Sequence, residues 1–434
     1  MTADLARARD GVLTAADLAR VDAALQGTDD LLRSAYRGDD GSRQPVHTAY
    51  VPADRYHPGL PAEWGAAALA AAEAVGGLDA LAAHVGLTPE LVTDVVPRVR
   101  AKLEREPIED LRLDFEDGYG DRGDAVEDAD AVGAAARVIE AVRSSAAPPF
   151  IGIRFKSLEK STRARGLRTL DLFLSGLVEA GGLPGGLALT LPKVTTAAQV
   201  AAMADVAAAL EGAHGLTEGS VRFEVQIETP QVVLGADGRS PLALLPRAGA
   251  GRITSLHFGT YDYTAALGIS AHHQSLDHPA ADLAKELMQL AVAGTGIRLS
   301  DGSTNVLPIG DRAIEAWMLH ARLVRRSLER GFFQGWDLHP HQLLTRYLAT
   351  YAFYREGYPQ AAERLRAYIE RSPGTVLDEP ATARALAWFV VRGVQCGALD
   401  TDDVIAETGI GHEALIALAH PRPVSRTDPR EDSA

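Results

Sequence analysis

Two carboxylates, Glu228 and Asp262, are spaced for metal chemistry. Each closes a stretch rich in β-forming residues, 221–228 and 256–263, and about one strand–helix unit of chain separates them. If the two strands are parallel neighbours, their carboxyl ends lie at one edge of a sheet and the two side chains meet there. Carboxylate oxygens, completed to an octahedron by water or substrate, are the usual ligands of Mg²⁺. The pair therefore predicts a site for Mg²⁺, or for Mn²⁺ in its place, although Glu228 alone could be an exposed turn residue.

Other charged residues also stand where predicted strands end, a pattern that solvated loops alone explain poorly. Arg154 ends one strand, and its guanidinium suits a substrate carboxylate or a developing enolate oxygen. It could equally form a structural ion pair with the acidic loop after the second strand, and the two roles are compatible. The remaining charged strand-end residues are Asp114, Glu116, Asp117, Lys193 and His339.

Lys193 and the histidines leave several interpretations open. Lys193 could form a Schiff base in a metal-free aldolase, but a contact with a phosphate or with the groups around the metal is favoured. His339 and His341 favour substrate or packing contacts over metal binding. The histidines of 271–278 have no zinc-like spacing and no cysteine partner, so this segment is interpreted as a loop over the site.

The elements that position these residues alternate strand with helix. Such alternation, eight times over, predicts a (β/α)₈ TIM barrel, whose chemistry lies at the carboxyl ends of the strands. An open doubly wound sheet is the alternative, but no Gly-x-Gly-x-x-Gly follows the first strand. The predicted strands are 46–51, 111–116, 150–155, 187–193, 221–228, 256–263, 305–309 and 335–339.

Helical segments flank and interrupt the predicted barrel. An N-terminal helical extension, 1–45, contains a helix that Thr14 can cap and whose apolar face is Leu18, Val21 and Leu25. The barrel is assigned to 46–345, with a helical insert at 60–106. A C-terminal helical segment over 346–418 and a disordered tail over 419–434 complete the prediction.

Composition narrows the class of protein. The 434 residues have a net charge of −15, which argues against a nucleic-acid partner. The single cysteine, Cys396, lies in an apolar helical stretch and is interpreted as an inert core thiol. The N-terminus lacks the apolar core of a signal peptide, and no apolar run reaches membrane-spanning length. A cytoplasmic protein with a small-molecule substrate and no membrane partner is expected.

Six short motifs occur in an order that resembles a known superfamily. Together they resemble the citrate lyase β-subunit-like branch of the HpcH/HpaI aldolases, including malyl- and citramalyl-CoA lyases, over roughly 46–385. The chain looks like a divergent member with an N-terminal extension. The motifs are Leu-Asp-Phe-Glu-Asp-Gly (113–118), Gly-Ile-Arg (152–154), Leu-Pro-Lys-Val (191–194), Ile-Glu-Thr-Pro (227–230), Phe-Gly-Thr-Tyr-Asp-Tyr-Thr-Ala-Ala-Leu-Gly (258–268) and Leu-His-Pro-His-Gln (338–342).

The resemblance implies a Mg²⁺-dependent barrel that makes or breaks a carbon–carbon bond beside a carbonyl, through a stabilised enolate. The metal carboxylates of the family carry over onto Glu228 and Asp262, and its substrate-binding arginine carries over onto Arg154. Glu116 and Asp117 correspond to acids near the metal-bound waters. Other substrate contacts are implied for Lys193, Gly259 and His339.

The segment 376–385 is similar to a C-terminal motif of the family in which an aspartate is the catalytic acid or base. That role falls on Asp378, which in the family often reaches the site of a neighbouring subunit, so a homo-oligomer is expected.

The chain also departs from the family pattern. Ala53 follows Pro52 where the family usually has glycine, and the 60–106 insert and the 269–303 loop are atypical. These lie where coenzyme A would approach, so the substrate is left as a 2-oxo acid or a hydroxyacyl-CoA. A carrier-free class II aldolase of the pyruvate type and a non-catalytic or complex-dependent lyase subunit are the alternatives.

Overall fold

The computed structural model describes residues 13–370 and 379–419, and its centre is a parallel eight-stranded sheet. Neighbouring strands pair in the order β7-β6-β5-β4-β3-β2-β1-β8. A parallel bridge between Ser300 and Gln334 joins the two ends of this order, so the sheet closes on itself and the predicted (β/α)₈ barrel is confirmed. The strands are β1 (His47–Pro52), β2 (Asp110–Asp114), β3 (Phe150–Arg154), β4 (Leu187–Leu191), β5 (Phe223–Ile227), β6 (Ile253–Phe258), β7 (Arg298–Ser300) and β8 (Gly335–Asp337).

Helices follow the strands and extend the barrel at both ends. Three of them, α2 to α4, lie between β1 and β2, where a single crossover helix would suffice. The helices are α1 (Ala15–Ala35), α2 (Leu60–Glu73), α3 (Leu78–His84), α4 (Pro89–Arg105), α5 (Asp124–Arg143), α6 (Arg163–Ala180), α7 (Ala197–His214), α8 (Pro230–Val233), α9 (Leu245–Ala248), α10 (Thr260–Ala266), α11 (Pro279–Val292), α12 (Ala313–Glu329), α13 (Gln342–Glu370), α14 (Pro380–Cys396), α15 (Thr401–Thr408) and α16 (His412–Ala419).

No single helix in the described ranges is both long enough and apolar enough to cross a membrane. Only α2 and α3 taken together reach that length and apolar content, across a bend of 73°.

The predicted seventh strand was wrong in its position. β7 is Arg298–Ser300, whereas 305–309 forms a loop in which Val306 and Ile309 are 46% and 52% exposed. A strand of three residues is too short to display the alternation that predicts strands. The apolar residues of the loop 305–309 resemble the pattern of a strand, which explains the wrong position.

The two faces of the barrel strands differ in chemistry. On β2, Leu111 and Leu113 are completely buried in the apolar core that the barrel shares with its helices. Between them, Arg112 hydrogen-bonds to residues of β4 and β5, so its side chain crosses the barrel interior. Most TIM barrels fill this interior with branched aliphatic side chains. Here the apolar residues of β2 face outward and its charged residues face inward.

A network of ion pairs fills the barrel interior on the side away from the carboxyl ends of the strands. Arg112 donates to Asp110 and Glu224, and its Nε lies 2.9 Å from the Thr190 hydroxyl. His257 lies 3.1 Å from Glu224. Buried charges are tolerated when each is paired and hydrogen-bonded. The network therefore forms a layer of paired polar side chains beneath the carboxyl ends of the strands.

Helix α1 lies outside this packing. Thr14 caps it, as predicted, through a capping box with Asp17. Its predicted apolar face does not pack on the barrel, because Leu18, Val21 and Leu25 are 53%, 53% and 48% exposed. Among residues 13–370 and 379–419, nothing covers this apolar face of α1.

Candidate active site

The carboxyl ends of β2 to β6 bring most of the predicted site residues together. Arg154 is the last residue of β3, and Glu228 follows directly after β5. Glu116 and Asp117 lie just beyond β2, and Lys193 lies two residues beyond β4. Pro230, the strand breaker of the sequence, begins the short helix α8 and so releases Glu228 at the barrel mouth.

Asp262 occupies a different element from the one predicted. Strand β6 ends at Phe258, and Asp262 lies in the first turn of α10. Its side chain is 48% exposed, whereas Glu228 is buried. The two acids therefore approach the mouth from different depths.

Arg154 is held in one orientation by its neighbours. Its Nε and one terminal nitrogen donate to the two oxygens of Asp114 at 2.7 and 2.8 Å. Its other terminal nitrogen lies 3.3 Å from Glu116. Burial opposes charge on this guanidinium, but the adjacent carboxylates outweigh burial and raise the pKa of Arg154. Arg154 thus forms the predicted ion pair with the acidic loop and still lies at the barrel mouth.

Lys193 links the acids of the mouth, which we call the acidic cluster: Glu116, Asp117, Glu228 and Asp262. Its Nζ lies 3.1 Å from Glu116, 2.9 Å from Asp117 and 3.3 Å from Asp262. Its backbone N–H donates to Glu228 at 2.7 Å. Burial acts to lower the pKa of Lys193, but the charges of Glu116 and Glu228 outweigh burial and raise this pKa. The amine therefore stays protonated. A protonated amine does not favour the Schiff-base alternative.

Two members of the acidic cluster are buried with too little positive charge around them. Burial raises the pKa of Glu228 to about 8, and the charge of Glu116 adds to this effect. Burial likewise raises the pKa of Glu116 to about 7, although Arg154 acts in the opposite direction. Both oxygens of Glu116 are buried without a hydrogen bond, even though Arg154 and Lys193 lie within ion-pair distance. An additional positive charge beside the acidic cluster would therefore stabilise the ionised carboxylates of Glu116 and Glu228.

A divalent cation fits this donor set. Hard carboxylate oxygens at the end of a barrel are ligands of the type that Mg²⁺ and Mn²⁺ prefer, and neither oxygen of Glu116 accepts a hydrogen bond. Within residues 13–370 and 379–419, however, no three acidic, histidine or cysteine side chains are already gathered as a metal site. Lys193 Nζ instead occupies the space among the acids.

Gly259 leaves the space that Glu228 needs. A Cβ at this position would lie 2.4 Å from the Glu228 Cβ and 2.5 Å from its Oε2. The backbone N–H of Gly259 donates to Ile227, which holds the two chain segments at this short distance. The structure thus places Gly259 against a predicted metal ligand, while its predicted substrate contact stays a prediction.

Two predicted residues are not brought into the cluster. His339 follows β8, with its ring 4.5 Å from that of His341, whose N–H donates to His339 Nδ1. Burial lowers the pKa of His339, which favours the neutral form of its ring. Among the described residues, its hydrogen bonds do not involve the acidic cluster. Asp378 lies outside the described residues.

Tyr50 was missed by the sequence-based reasoning. Its ring lies 4.8 Å beneath the Arg154 guanidinium, and its hydroxyl accepts a hydrogen bond from Gln226 across the barrel. The ring supports the guanidinium from the interior side. Tyr50 lies within a predicted strand, but nothing in its neighbouring sequence indicates that its ring would contact Arg154.

Several solved structures are similar to this chain. A citrate lyase from Burkholderia xenovorans LB400 is 19% identical, with 85% of this chain and 97% of that chain covered at a TM-score of 0.56. The malate synthase of Haloferax volcanii is 16% identical, with 88% and 89% covered at 0.47. The Mycobacterium tuberculosis protein CitE, solved with magnesium, acetoacetate and coenzyme A, is 18% identical, with 82% and 99% covered at 0.47. At 19% identity, the similarity to the citrate lyase shows the fold alone.

A family model described as "Domain of unknown function (DUF6986)" matches residues 25–423. No curated protein matches the sequence.

Proposed function

The chain belongs to the DUF6986 family, and we propose that it is a Mg²⁺-dependent carbon–carbon lyase or aldolase that acts through an enolate. The observation that carries this proposal is the pairing of Arg154 with the acidic cluster at one barrel mouth. A fixed guanidinium beside a cation-binding set of carboxylates suits a substrate with adjacent carboxylate and carbonyl oxygens. A 2-oxo acid and a hydroxyacyl-CoA both meet that description.

Arg154 is the proposed anchor for the substrate oxygens. Asp114 occupies one edge of the guanidinium, which orients the rest of it toward the mouth. The charge-assisted hydrogen bonds of a fixed guanidinium strengthen as negative charge develops on the enolate oxygen. The Tyr50 ring packs against the guanidinium. Binding, orientation and charge stabilisation thus fall on one side chain.

Glu228 and Asp262 would hold the metal, with Glu116 and Asp117 beside its water molecules. A bound Mg²⁺ or Mn²⁺ would supply positive charge that polarises a substrate carbonyl, an effect worth several kcal/mol. The buried oxygens of Glu116, neither of which accepts a hydrogen bond, support the presence of such an ion. We propose Asp378 as the acid or base that moves the proton, on the resemblance of its motif.

We further propose that the protein is a homo-oligomer in which a second copy covers the apolar face of α1. The half-exposed Leu18, Val21 and Leu25 support this proposal, because a stripe of large apolar side chains on one helix face marks an association surface. Light scattering of Leu25→Glu tests it, with Gln26→Glu, an exposed neighbour on the same helix, as the control. Leu25→Glu should have a lower molecular mass in solution than the wild-type oligomer, and Gln26→Glu should have the wild-type mass. An unchanged mass for Leu25→Glu would refute the assignment of this face.

The proposed reaction is tested with purified protein and a panel of 2-oxo acids and hydroxyacyl-CoA thioesters. Products are followed by mass spectrometry in Mg²⁺ and in excess chelator. Cleavage or condensation that requires Mg²⁺ and is lost in Arg154→Gln and Glu228→Gln is expected. Arg168→Gln is the control, since Arg168 pairs with Asp128 on the outer helices. Activity that persists in chelator, or in Glu228→Gln, would contradict the metal-dependent mechanism.

A further inference from the structure

We propose that the Lys193 ammonium is an internal counter-cation of the acidic cluster, which occupies the cluster when no divalent ion is bound and competes with that ion. The inference rests on the proposed function, because it concerns the metal site of that reaction. It assigns to Lys193 control over metal occupancy, rather than contact with the substrate.

The contacts of Lys193 support this role. One ammonium lies within 3.3 Å of three carboxylates that come from the segments after β2 and β6. No other lysine or arginine among the described residues forms an ion pair with Asp117 or Asp262. A lysine is a compact point charge on a flexible stem, so it can fill the position of a small cation and later leave it. An arginine in its place would be bulkier and less mobile.

The backbone of Lys193 is arranged to aim the side chain at the cluster. Its φ is +50°, one of three positive values at described residues other than glycine. This left-handed conformation is unfavourable for a residue with a Cβ. In exchange, the backbone N–H reaches Glu228 while Nζ reaches the other three acids. Lys193 therefore contacts every member of the acidic cluster.

The same contacts place the ammonium among the proposed metal ligands. The ammonium donates hydrogen bonds to Asp117 and Asp262 and lies within ion-pair distance of Glu116. A divalent ion that bound to Glu228 and Asp262 would meet a positive charge beside it. Lys193 must therefore move out of the cluster when the metal enters, and the cost of that movement weakens metal binding.

The test compares Mg²⁺ and Mn²⁺ binding by the full chain with Lys193 intact or replaced. Calorimetric titrations are run on wild type, Lys193→Met, Lys193→Arg and the control Lys160→Met, whose lysine is exposed. Lys193→Met should bind Mg²⁺ about tenfold more tightly, the equivalent of about 1.4 kcal/mol. Without metal it should melt at a lower temperature than wild type, because the acids repel one another. Lys193→Arg should retain most of the metal-free stability, and Lys160→Met should match wild type.

The outcomes separate this inference from the proposed function. Mg²⁺ binding by Lys193→Met that is equal to or weaker than that of wild type overturns the inference and leaves the lyase proposal standing. Tighter binding by Lys193→Met, without carbon–carbon lyase activity of wild type on the substrate panel, supports the inference and overturns the lyase. Absence of Mg²⁺ binding in both proteins overturns both proposals.

Discussion

Both carboxylate oxygens of Asp114 accept hydrogen bonds from Arg154, and the two residues are register partners at the ends of β2 and β3. Asp114 also accepts from the backbone N–H groups of Glu116 and Gly118 at 3.0 and 2.8 Å. Although burial opposes its ionisation, the Arg154 guanidinium holds the pKa of Asp114 below its usual value. Asp114 ties Arg154, the proposed anchor for the substrate, to the acidic loop, and we therefore assign it a positioning role.

Asp114→Asn is expected to lower kcat/KM by roughly 10²-fold, because a guanidinium released from a charged partner no longer keeps its orientation. Affinity for Mg²⁺ should change little, since Asp114 is outside the acidic cluster. Steady-state kinetics and calorimetry measure the two quantities. Asp128→Asn is the matched control, as its ion pairs with Arg165 and Arg168 lie on the outer helices. Equal kinetics in the two variants would remove the positioning role from Asp114.

Gly259→Ala is expected to displace Glu228 and abolish tight Mg²⁺ binding. The added Cβ would lie 2.4 and 2.5 Å from two atoms of that side chain, too close for either to remain. Gly212→Ala is the control, because a Cβ there meets no atom within 4 Å. A Gly259→Ala protein that folds and binds Mg²⁺ as wild type does would show that Glu228 is not a ligand.

Asp378→Asn is expected to reduce turnover by roughly 10²–10⁴-fold while Mg²⁺ affinity stays nearly constant, as for loss of a general acid or base. The neighbouring Glu379→Gln serves as the control for charge in this segment. Mixing Asp378→Asn with Arg154→Gln subunits adds a second measurement. Partial recovery of activity in the mixture is expected if Asp378 acts on the site of another subunit. Full activity of Asp378→Asn alone would remove it from the mechanism.

Acid stability should depend on Glu211, which supports the opposite end of the barrel from the mouth. The hydrogen bonds of Arg252, aided by backbone N–H groups of Val221 and Gly219, lower the pKa of Glu211 to about 2 from 4.5. A depressed pKa in the folded state adds stability above pH 4.5 that is lost as pH falls toward 2. At neutral pH this contribution is at most about 3 kcal/mol.

Urea unfolding of wild type and Glu211→Gln at pH 7 and pH 3 measures this dependence. The difference between the two proteins should be large at pH 7 and smaller at pH 3. Glu179→Gln, an exposed acid on α6, is the control. A difference that does not change with pH would contradict the role assigned to the ionised Glu211.

Several features of the site followed from the sequence because they are local. The alternation of strand and helix indicated the barrel, and the strand-end rule brought Arg154, Glu116 and Glu228 to one mouth. Asp114 was recognised there as a strand-end acid, but its two bonds to Arg154 depend on the register of β2 and β3. Pairing between strands is not encoded by either strand alone.

The sequence by itself determined that an eight-stranded barrel would have acids, an arginine and a lysine at one end. It could do so because strand periodicity and turn signals depend only on residues close together in the sequence. Only the tertiary structure decided that Lys193 lies among acids from two other segments and that Asp262 belongs to α10. It also decided that the apolar face of α1 is about half exposed within the described part of the chain. These outcomes depend on packing between segments far apart in the chain. In the folded chain, the distances between charged side chains and their burial determine which charges pair, and the residue types alone do not determine this.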